Sequence, residues 1–397
     1  MRILLLNTDY QRFQAWLYGR HSGLEYEPYT TQMAKRNGSL FGLSDFYPRN
    51  FAAHGHVAQQ ICVSTRWMQA AWALEHGLSF EAPVKLSMAE RRTLPGWAER
   101  AVAPFKQRLR PLARKLGFSP SLDSQSEQVL LAQIEEFKPD VLINQDVFYV
   151  DVRLMQRIRQ IGNPILVGQI GVAPTLGVDW TIYDLIISQL PSSVQFFRSL
   201  GVRSELHHLA FEPGILDVMP PAPDPNVDVS FVGSISTDHL LRIKLLEAIA
   251  ERYDLKLWGN RPPALPASSP LHRCFQGEVW GIDMYQVLRR SRITLNSHID
   301  FARNEAGNMR LFEATGIGTF LLTDYKENLH TLFEEAREIA TWRSVEDCVA
   351  AIDRYLRDNS ARSQIARAGQ QRTMASHTYR LRTAELLALF EAIEPRT

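Results

Sequence analysis

Short apolar runs rich in β-branched residues alternate with segments of helical periodicity along most of the chain. In the first half the strand candidates are RILLLN, HVAQQICV, DVLINQD, PILVGQI and YDLIISQ. Helical patterns such as SEQVLLAQIEEF, VDVRLMQRIRQIG and PSSVQFFRSLG lie between them. This alternation is typical of parallel sheets covered by helices. The first half therefore predicts one doubly wound α/β unit.

A second alternating series follows the segment 211–228, which contains five prolines and little periodicity. Its strand candidates are VDVSFVGSIS, LKLWG, ITLNSH and TFLLTD, with helical patterns between them. The proline-rich segment predicts a linker between domains. We expect an α/β protein with two Rossmann-like, doubly wound domains over residues 1–212 and 213–378, facing a cleft, and a final helix over 379–397 that crosses back to the first domain. Ligands of such sheets bind at the carboxyl ends of the strands.

Composition narrows the function classes. The 397 residues are 45% hydrophobic and 22% charged, which is typical of globular proteins. The formal net charge of +1 gives no global argument for nucleic-acid binding. Three distant cysteines form no CxxC pair and indicate a reducing compartment. No apolar stretch approaches the roughly 20 residues of a membrane span, and the first apolar run is too short for a signal peptide, so we expect a cytoplasmic protein.

The stretch NEAGNMRLFEATGIGTFLLTDY, residues 304–325, combines polar groups with a short helical pattern and a strand pattern. If the helix starts near Asn308, the backbone N–H groups of Met309, Arg310 and Leu311 have no partner within the helix. Such a helix end attracts an anion. The absence of a side chain at Gly307 permits close approach to a phosphate, and the Arg310 guanidinium adds a further donor.

Two glutamates flank this predicted helix start. Glu313, one turn into the helix, is placed to accept hydrogen bonds from a ribose diol, and Glu305 in the preceding loop is placed to reach hydroxyls of an attached sugar. The alternative is that both are solvated surface charges, as most glutamates are. The apolar neighbours of Glu313 favour the site over the surface.

The spacing Glu305-x7-Glu313, followed by the strand TFLLTD, resembles the E-x7-E motif of retaining glycosyltransferases of the GT-B fold, family 4 in particular. More closely, NMRLFEATGIGTFLLTDY, LFEEAREIATW and HTYRLR resemble the CgeB-like group of glycosyltransferases. The resemblance covers roughly residues 227–387. It implies that Glu313 holds the ribose and that Glu305 contacts the donor sugar.

The resemblance extends to the start of the second domain. The turn in FVGSIS, with Gly233 and Ser234, is similar to the phosphate-facing glycine turn of that family. Family 4 enzymes usually have an arginine after this turn and a lysine five residues later, whereas this chain has Ser234 and His239. Arg242 is the predicted substitute, with Lys244 as an alternative, although helical RIK is often solvent-facing charge.

Further positions follow from the same resemblance. The main chain of the segment that borders the base is implied to be Gln276, Gly277, Glu278 and Val279. Asp9 and Tyr10 are predicted from their position after the first strand, not from the resemblance, to line the cleft and meet the donor or the acceptor. Polar residues also occur at strand ends for structural reasons. Gln169 stands near the place of a histidine that many of these enzymes carry.

The sequence therefore predicts a glycosyltransferase with Glu305 and Arg242 as catalytic residues. The donor is a nucleoside diphosphate sugar, with UDP, GDP and dTDP unresolved, and no cofactor or metal is expected. No metal is expected because the helix end and the arginine can carry the phosphate charge, in line with the family. Retention of configuration follows from the resemblance alone. The acceptor is open among a glycan, a lipid-linked sugar, a protein and a small molecule. A nucleotide-sugar epimerase of the same fold and a non-catalytic bilobal sugar-binding module remain alternatives.

The segment 88–117 is strongly basic and has an amphipathic stripe interrupted by two prolines. Such a pattern is typical of contact with an anionic membrane surface or an anionic acceptor. A solvated helical face packed on the first domain is the alternative. The sequence thus leaves open a peripheral association with the inner face of the membrane.

Overall fold

A computed structural model of the chain describes residues 1–81, 122–172, 174, 177–221, 225–235, 240–260, 265–298 and 304–393. The chain divides into two compact units. Unit 1 comprises Met1–His207 and Thr383–Thr397, and unit 2 comprises His208–Arg382. The predicted membrane-contact segment 88–117 and His239 lie outside the described residues.

Unit 1 is built on a parallel sheet. Its described strands are β1 (Arg2–Asn7), β2 (Val57–Cys62), β3 (Val141–Asn144), β4 (Ile165–Gln169), β5 (Leu185–Ser188) and β6 (Ser204–Leu206). They pair in the order β2-β1-β3-β4-β5-β6, and each of these pairs is parallel. Strands β3 and β5 are buried at every position, which explains why their sequences are continuous apolar runs.

The helices of unit 1 connect these strands. Those described are α1 (Gln11–Arg20), α2 (Tyr29–Gly38), α3 (Phe46–Ala53), α4 (Arg66–Glu75), α5 (Ser124–Phe137), α6 (Val152–Arg159) and α7 (Pro191–Ser199). Side chains start two of them: Asp123 accepts from the Ser126 N–H before α5, and Asp151 accepts from two N–H groups of α6. Gly201, with a φ of +74°, follows the end of α7, where glycine commonly ends a helix.

Unit 2 repeats this strand arrangement. Its described strands are β7 (Val227–Val232), β8 (Leu255–Trp258), β9 (Ser291–Asn296), β10 (Leu321–Asp324) and β11 (Ala340–Trp342). They pair in parallel in the order β11-β10-β9-β7-β8. In both units the second strand lies on one side of the first, and the later strands follow on the other side.

The helices described in unit 2 are α8 (Gly214–Val218), α9 (Leu240–Ala250), α10 (Gly281–Arg289), α11 (Met309–Gly316), α12 (Val345–Arg357) and α13 (Asn359–Ser376). The last helix, α14 (Tyr379–Glu391), begins in unit 2 and ends in unit 1. Within unit 1 the rings of Phe390 and Phe51 are 6.3 Å apart.

Short α11 is held by its neighbours along its carboxyl half. The Thr315 and Thr373 hydroxyls are 2.6 Å apart, and the Gln370 amide of α13 donates to the Gly316 carbonyl at 3.0 Å. A Cβ at Gly316 would lie 2.3 Å from the Phe211 ring. Only glycine permits this packing.

The predicted pair of parallel α/β units is confirmed, and each of the nine segments predicted as strands overlaps one. The sequence pattern missed β6 and β11, because three residues are too few to show a period. The segment 211–228, predicted as an irregular linker, contains α8, whose Ile215 is fully buried. The prolines around this short helix mask its helical pattern in the sequence.

Candidate functional site

The strand order of unit 2 indicates where its ligand site lies. The chain runs from β7 to β8 on one side and then to β9 on the other, so the order reverses between β7 and β9. In open parallel sheets, ligands bind outside the carboxyl ends of the strands at such a reversal. The residues that follow β7 and β9 are therefore the first candidates.

The turn after β7 is formed by backbone in close contact with the end of β8. The Gly233 N–H donates to the Trp258 carbonyl at 2.9 Å. A Cβ at Gly259, whose φ is +145°, would lie 2.0 Å from the Gly233 carbonyl oxygen. Ser234 follows and is exposed. The predicted glycine turn thus presents its backbone at the expected edge of the sheet, because glycine at 259 leaves room for it.

Arg242 of α9 joins the two strand ends. Its buried guanidinium donates to the carbonyl of Ser234 at 2.7 Å, to that of Ser297 at 2.7 Å and to that of His298 at 3.3 Å. These contacts fix the turn after β7 against the segment after β9. The predicted contact of Arg242 with a diphosphate stays a prediction.

The amino end of α11 lacks a side-chain cap, although an asparagine occupies the N-cap position. Asn308 is at the N-cap but makes no side-chain bond to the helix. Instead its amide donates to Asn296 Oδ1 at 2.7 Å, and Asn296 Nδ2 lies 3.3 Å from Asn308 Oδ1. The backbone N–H groups of Met309 and Arg310 have no hydrogen-bond partner among the described residues, while that of Leu311 reaches the Asn308 carbonyl at 3.3 Å. Unbonded N–H groups at a helix start favour an anion.

Glu313 points into the protein. It is 5% exposed, its Oε2 lies 2.8 Å from Arg310 Nη1, and its Oε1 lies 3.5 Å from the Tyr285 hydroxyl. Burial raises the pKa of Glu313, and the Arg310 charge and the Tyr285 hydroxyl offset only part of that rise. The interpretation of Glu313 as a solvated surface charge is wrong, because the helix buries this face.

The loop that carries Glu305 is tied to the loop after β10. The Ala306 N–H donates to the Asn328 side chain at 2.6 Å, and the Asn328 amide returns a bond to the Ala306 carbonyl at 2.9 Å. Asn304 also donates to Glu327 at 3.0 Å. Gly307 is buried and Glu305 is half-buried. These tethers fix the backbone on both sides of the Glu305 side chain.

The segment predicted to border a base lies beside the end of β8. The Gln276 N–H donates to the Leu257 carbonyl at 2.8 Å, and the Gly259 N–H donates to the Gly277 carbonyl at 3.0 Å. Gln276, Gly277 and Glu278 are exposed, and Val279 is half-buried. This segment and the glycine turn therefore meet at the same edge of unit 2.

A histidine and an aspartate at the same edge were missed by the sequence. His298 follows β9, and Asp324 ends β10. The Asp324 carboxylate accepts from His298 Nδ1 at 2.7 Å and from the His298 N–H at 3.0 Å, and Lys326 Nζ lies 3.3 Å away. Burial tends to raise the pKa of Asp324, but the bonds from His298 and the Lys326 charge outweigh it and leave the pKa below its ordinary value. The sequence signal that could have indicated this pair is the polar residue at the end of each of the runs LNSH and LLTD.

The residues predicted for the acceptor side lie at the carboxyl edge of the unit 1 sheet. Asp9 follows β1, and its carboxylate is 4% exposed and is held by Arg36 of α2 at 2.8 and 3.1 Å. Tyr10 is 71% exposed. Gln169 ends β4 and accepts from Gln145 Nε2 at 3.0 Å. Only Tyr10 of the three offers an open side chain, because protein groups already engage the other two.

One family model matches the chain. Residues 242–388 match a family described as glycosyl transferase-like. The matched segment contains α9 from Arg242 onward, the loop of Glu305 and α11, but not the turn after β7. No curated protein matches this sequence.

Solved structures match nearly the whole chain at low identity. HepE from Anabaena in complex with UDP-glucose is 12% identical, with a TM-score of 0.57 over 99% of this chain and 100% of that chain. Sucrose-phosphate synthase from Thermosynechococcus elongatus is 12% identical, with a TM-score of 0.56 over 99% and 98%. A glycosyltransferase from Rickettsia africae is 10% identical, with a TM-score of 0.56 over 99% and 98%. Such likeness shows the fold alone.

The chain has the GT-B fold and carries a glycosyltransferase domain. Within the described residues of this GT-B chain, no three or more His, Cys, Asp and Glu side chains are grouped so that they can hold a metal ion. Across the same residues, no helix has both the length and the apolar character of a membrane span. The expected independence from metal stays a prediction.

Unit 2 concentrates polar groups at one edge of its sheet. The glycine turn, the uncapped start of α11, the Asn296–Asn308 amide pair and the His298–Asp324 pair all follow or flank strand ends. Backbone N–H groups there can bind an anion without moving. This arrangement is suited to a phosphorylated ligand.

Proposed function

We propose that this GT-B protein transfers a glycosyl group from a nucleoside diphosphate sugar to an acceptor hydroxyl. The observation that carries the proposal is the start of α11, where Asn308 bonds Asn296 and leaves the N–H groups of Met309 and Arg310 to a ligand. An ordinary helix would be capped by this asparagine. The diphosphate binds there and at the turn of Gly233 and Ser234.

The two glutamates divide the rest of the donor. Glu313 binds the ribose by exchanging its weak 3.5 Å contact with the Tyr285 hydroxyl for bonds from the diol, while Arg310 keeps its other oxygen in place. Glu305, in its tethered loop, binds hydroxyls of the transferred sugar. The exposed main chain of Gln276 to Val279 borders the base.

Transfer breaks the bond between the sugar and the diphosphate, and negative charge develops on the departing phosphate. Donors already aimed at that charge lower the barrier most. The N–H groups of α11 supply such donors, and Arg242 holds the turn of Gly233 in place. Because these groups carry the charge, no metal is required, and retention of configuration remains part of the proposal through the family resemblance.

Residues 1–212 are the proposed acceptor domain, and residues 213–378 the proposed donor domain. HepE was solved in complex with UDP-glucose, which makes UDP the first nucleotide to test. The acceptor is a glycan, a lipid-linked sugar, a protein or a small molecule. Membrane contact through 88–117 stays a prediction.

Thermal unfolding with UDP, GDP, dTDP and their glucose conjugates tests the donor site. A ligand at 100 times its dissociation constant stabilises the folded state by about 2.7 kcal/mol. We expect Glu313→Gln to weaken the best nucleotide by about tenfold or more, because a hydrogen bond to a charged group is lost. Glu305→Gln should bind the nucleotide normally and lose turnover of the sugar donor.

Glu251→Gln, at an exposed acid near the end of α9, is the matched control and should behave as the parent. No shift with any of the nucleotides contradicts the donor site. An epimerase would convert the donor without an acceptor and release no free nucleoside diphosphate. A non-catalytic sugar-binding module would bind free glucose more tightly than the nucleotide sugar.

A further inference from the structure

Both arginines predicted for the donor phosphates donate to protein groups. The Arg242 guanidinium bonds three backbone carbonyls. Arg310 pairs with Glu313 and lies 3.3 Å from the Met284 sulfur. These contacts hold the site together and leave the binding of a ligand anion to other groups at the same edge.

His298 is a side chain at that edge. It is 4% exposed, and its Nε2 is buried without a hydrogen-bond partner among the described residues. An unpartnered ring nitrogen in such a place is unfavourable unless a ligand completes it. The Nδ1 side of the ring faces Asp324 of β10, so Nε2 points away from β10. The strand on the other side of β9 is β7, which leads into the glycine turn.

A continuous hydrogen-bond chain joins this histidine to the start of α11. Asp324 Oδ1 accepts from His298 and, at 3.2 Å, from the Thr323 hydroxyl. That hydroxyl accepts from Asn296 at 2.9 Å, and Asn296 pairs with the N-cap residue Asn308. The ring and the unbonded N–H groups of α11 are thus fixed by one network.

We propose that His298 is a phosphate-binding residue of the donor site. As the imidazolium it donates Nδ1–H to the Asp324 carboxylate and Nε2–H to an oxygen of the nucleoside diphosphate. The carboxylate orients the ring by accepting its Nδ1–H. The assignment rests on the proposed function, and it adds a side-chain cation to a site otherwise built from backbone N–H groups.

Calorimetric titration of His298→Gln tests the assignment. The ligands are UDP, GDP and dTDP, each compared with uridine, guanosine or thymidine, which lack phosphate. We expect the variant to bind the preferred diphosphate about tenfold or more weakly, because a charge-assisted bond is lost, and to bind the nucleoside as the parent does. His330→Gln, at an exposed histidine after β10, is the matched control and should bind both ligands normally.

Asp324→Asn provides a second variant, which keeps an acceptor for the His298 N–H and removes the negative charge. It should weaken the diphosphate selectively, and the double variant should be no weaker than His298→Gln alone, because the two residues act as one unit. If His298→Gln does not fold, a loss of affinity in Asp324→Asn for the diphosphate but not for the nucleoside supports the role of His298, and its absence overturns it. Equal losses for diphosphate and nucleoside, or no loss, overturn the role of His298. Failure of the parent to bind any of the nucleotides overturns the proposed function instead.

Discussion

The two sheets share a strand order but present different chemistry at their carboxyl edges. In unit 2 the chain leaves β7 through a glycine turn, and polar groups after β9 and β10 surround the uncapped start of α11. In unit 1 Asp9 follows β1, and its carboxylate forms a buried ion pair with Arg36. Next to it, Asp146 accepts from the Thr8 hydroxyl at 2.8 Å.

Strand order therefore fixes where a ligand can bind, and the residues at the strand ends decide which ligand. An anion is favoured at the edge of unit 2, where backbone N–H groups are unbonded. At the edge of unit 1 the Asp9 charge is already paired with Arg36, and Tyr10 is exposed. This difference is consistent with the proposed donor and acceptor roles.

The largest expected loss of stability comes from removing one partner of the buried Asp9–Arg36 ion pair in unit 1. Arg36→Met leaves the Asp9 carboxylate without its cation in an interior position. Breaking one partner of a buried ion pair typically costs about 3–5 kcal/mol. Urea denaturation should show this loss, and the double variant Asp9→Asn/Arg36→Met should recover most of it. Full stability of Arg36→Met contradicts a structural role for the pair.

A smaller loss of stability is expected from adding a side chain at Gly259, where the backbone of unit 2 is in close contact with Gly233. Gly259→Ala forces a side chain into the space of the Gly233 carbonyl at a φ of +145°. We expect a loss of about 1–3 kcal/mol in stability and weaker binding of nucleoside diphosphates, since the turn must move. The control is Gly23→Ala in unit 1, which has a positive φ but open space. Equal effects of the two variants on nucleotide binding contradict a role for the turn.

The smallest effects are opposite pH dependences of two buried acids in unit 2. The pKa of Asp324 is below its ordinary value, so its stabilisation is present above the unfolded pKa and is lost as pH falls through the folded pKa. The pKa of Glu313 is above its ordinary value, so its stabilisation is present below the unfolded pKa and is lost as pH rises through the folded pKa.

Urea denaturation at several pH values measures both signs. The deficit of Asp324→Asn relative to the parent should shrink as pH falls below about 4, and Glu313→Gln should gain on the parent as pH rises above about 4. The control Glu251→Gln should follow the parent throughout. Parallel profiles for all variants contradict the assigned directions. A gain in Glu313→Gln would also mark Glu313 as retained for binding rather than for stability.

Local signals made most of the fold and part of the site predictable. The apolar runs of β1 and β3 specify buried strands directly, and an asparagine before an apolar helical pattern correctly predicted the start of α11 at Asn308. The edge strands β6 and β11 were missed because each has only three residues.

Partners distant in sequence were not predictable. Asp9 and Arg36 are 27 positions apart, and His298 and Asp324 are 26 apart, so only the folded sheet brings them together. Arg242 shows the same limit, because its place on a helix was readable and its three carbonyl partners were not.

The packing of α11 against α13 affects the entropy cost of binding a ligand at the start of α11. Eight residues are too few for a helix that is stable alone in water. The contacts of Thr315 with Thr373 and of Gly316 with Gln370 keep this helix formed from its carboxyl end. A phosphate bound at the proposed site would meet dipoles that are already aligned, so the entropy of ordering them is lost during folding rather than on binding.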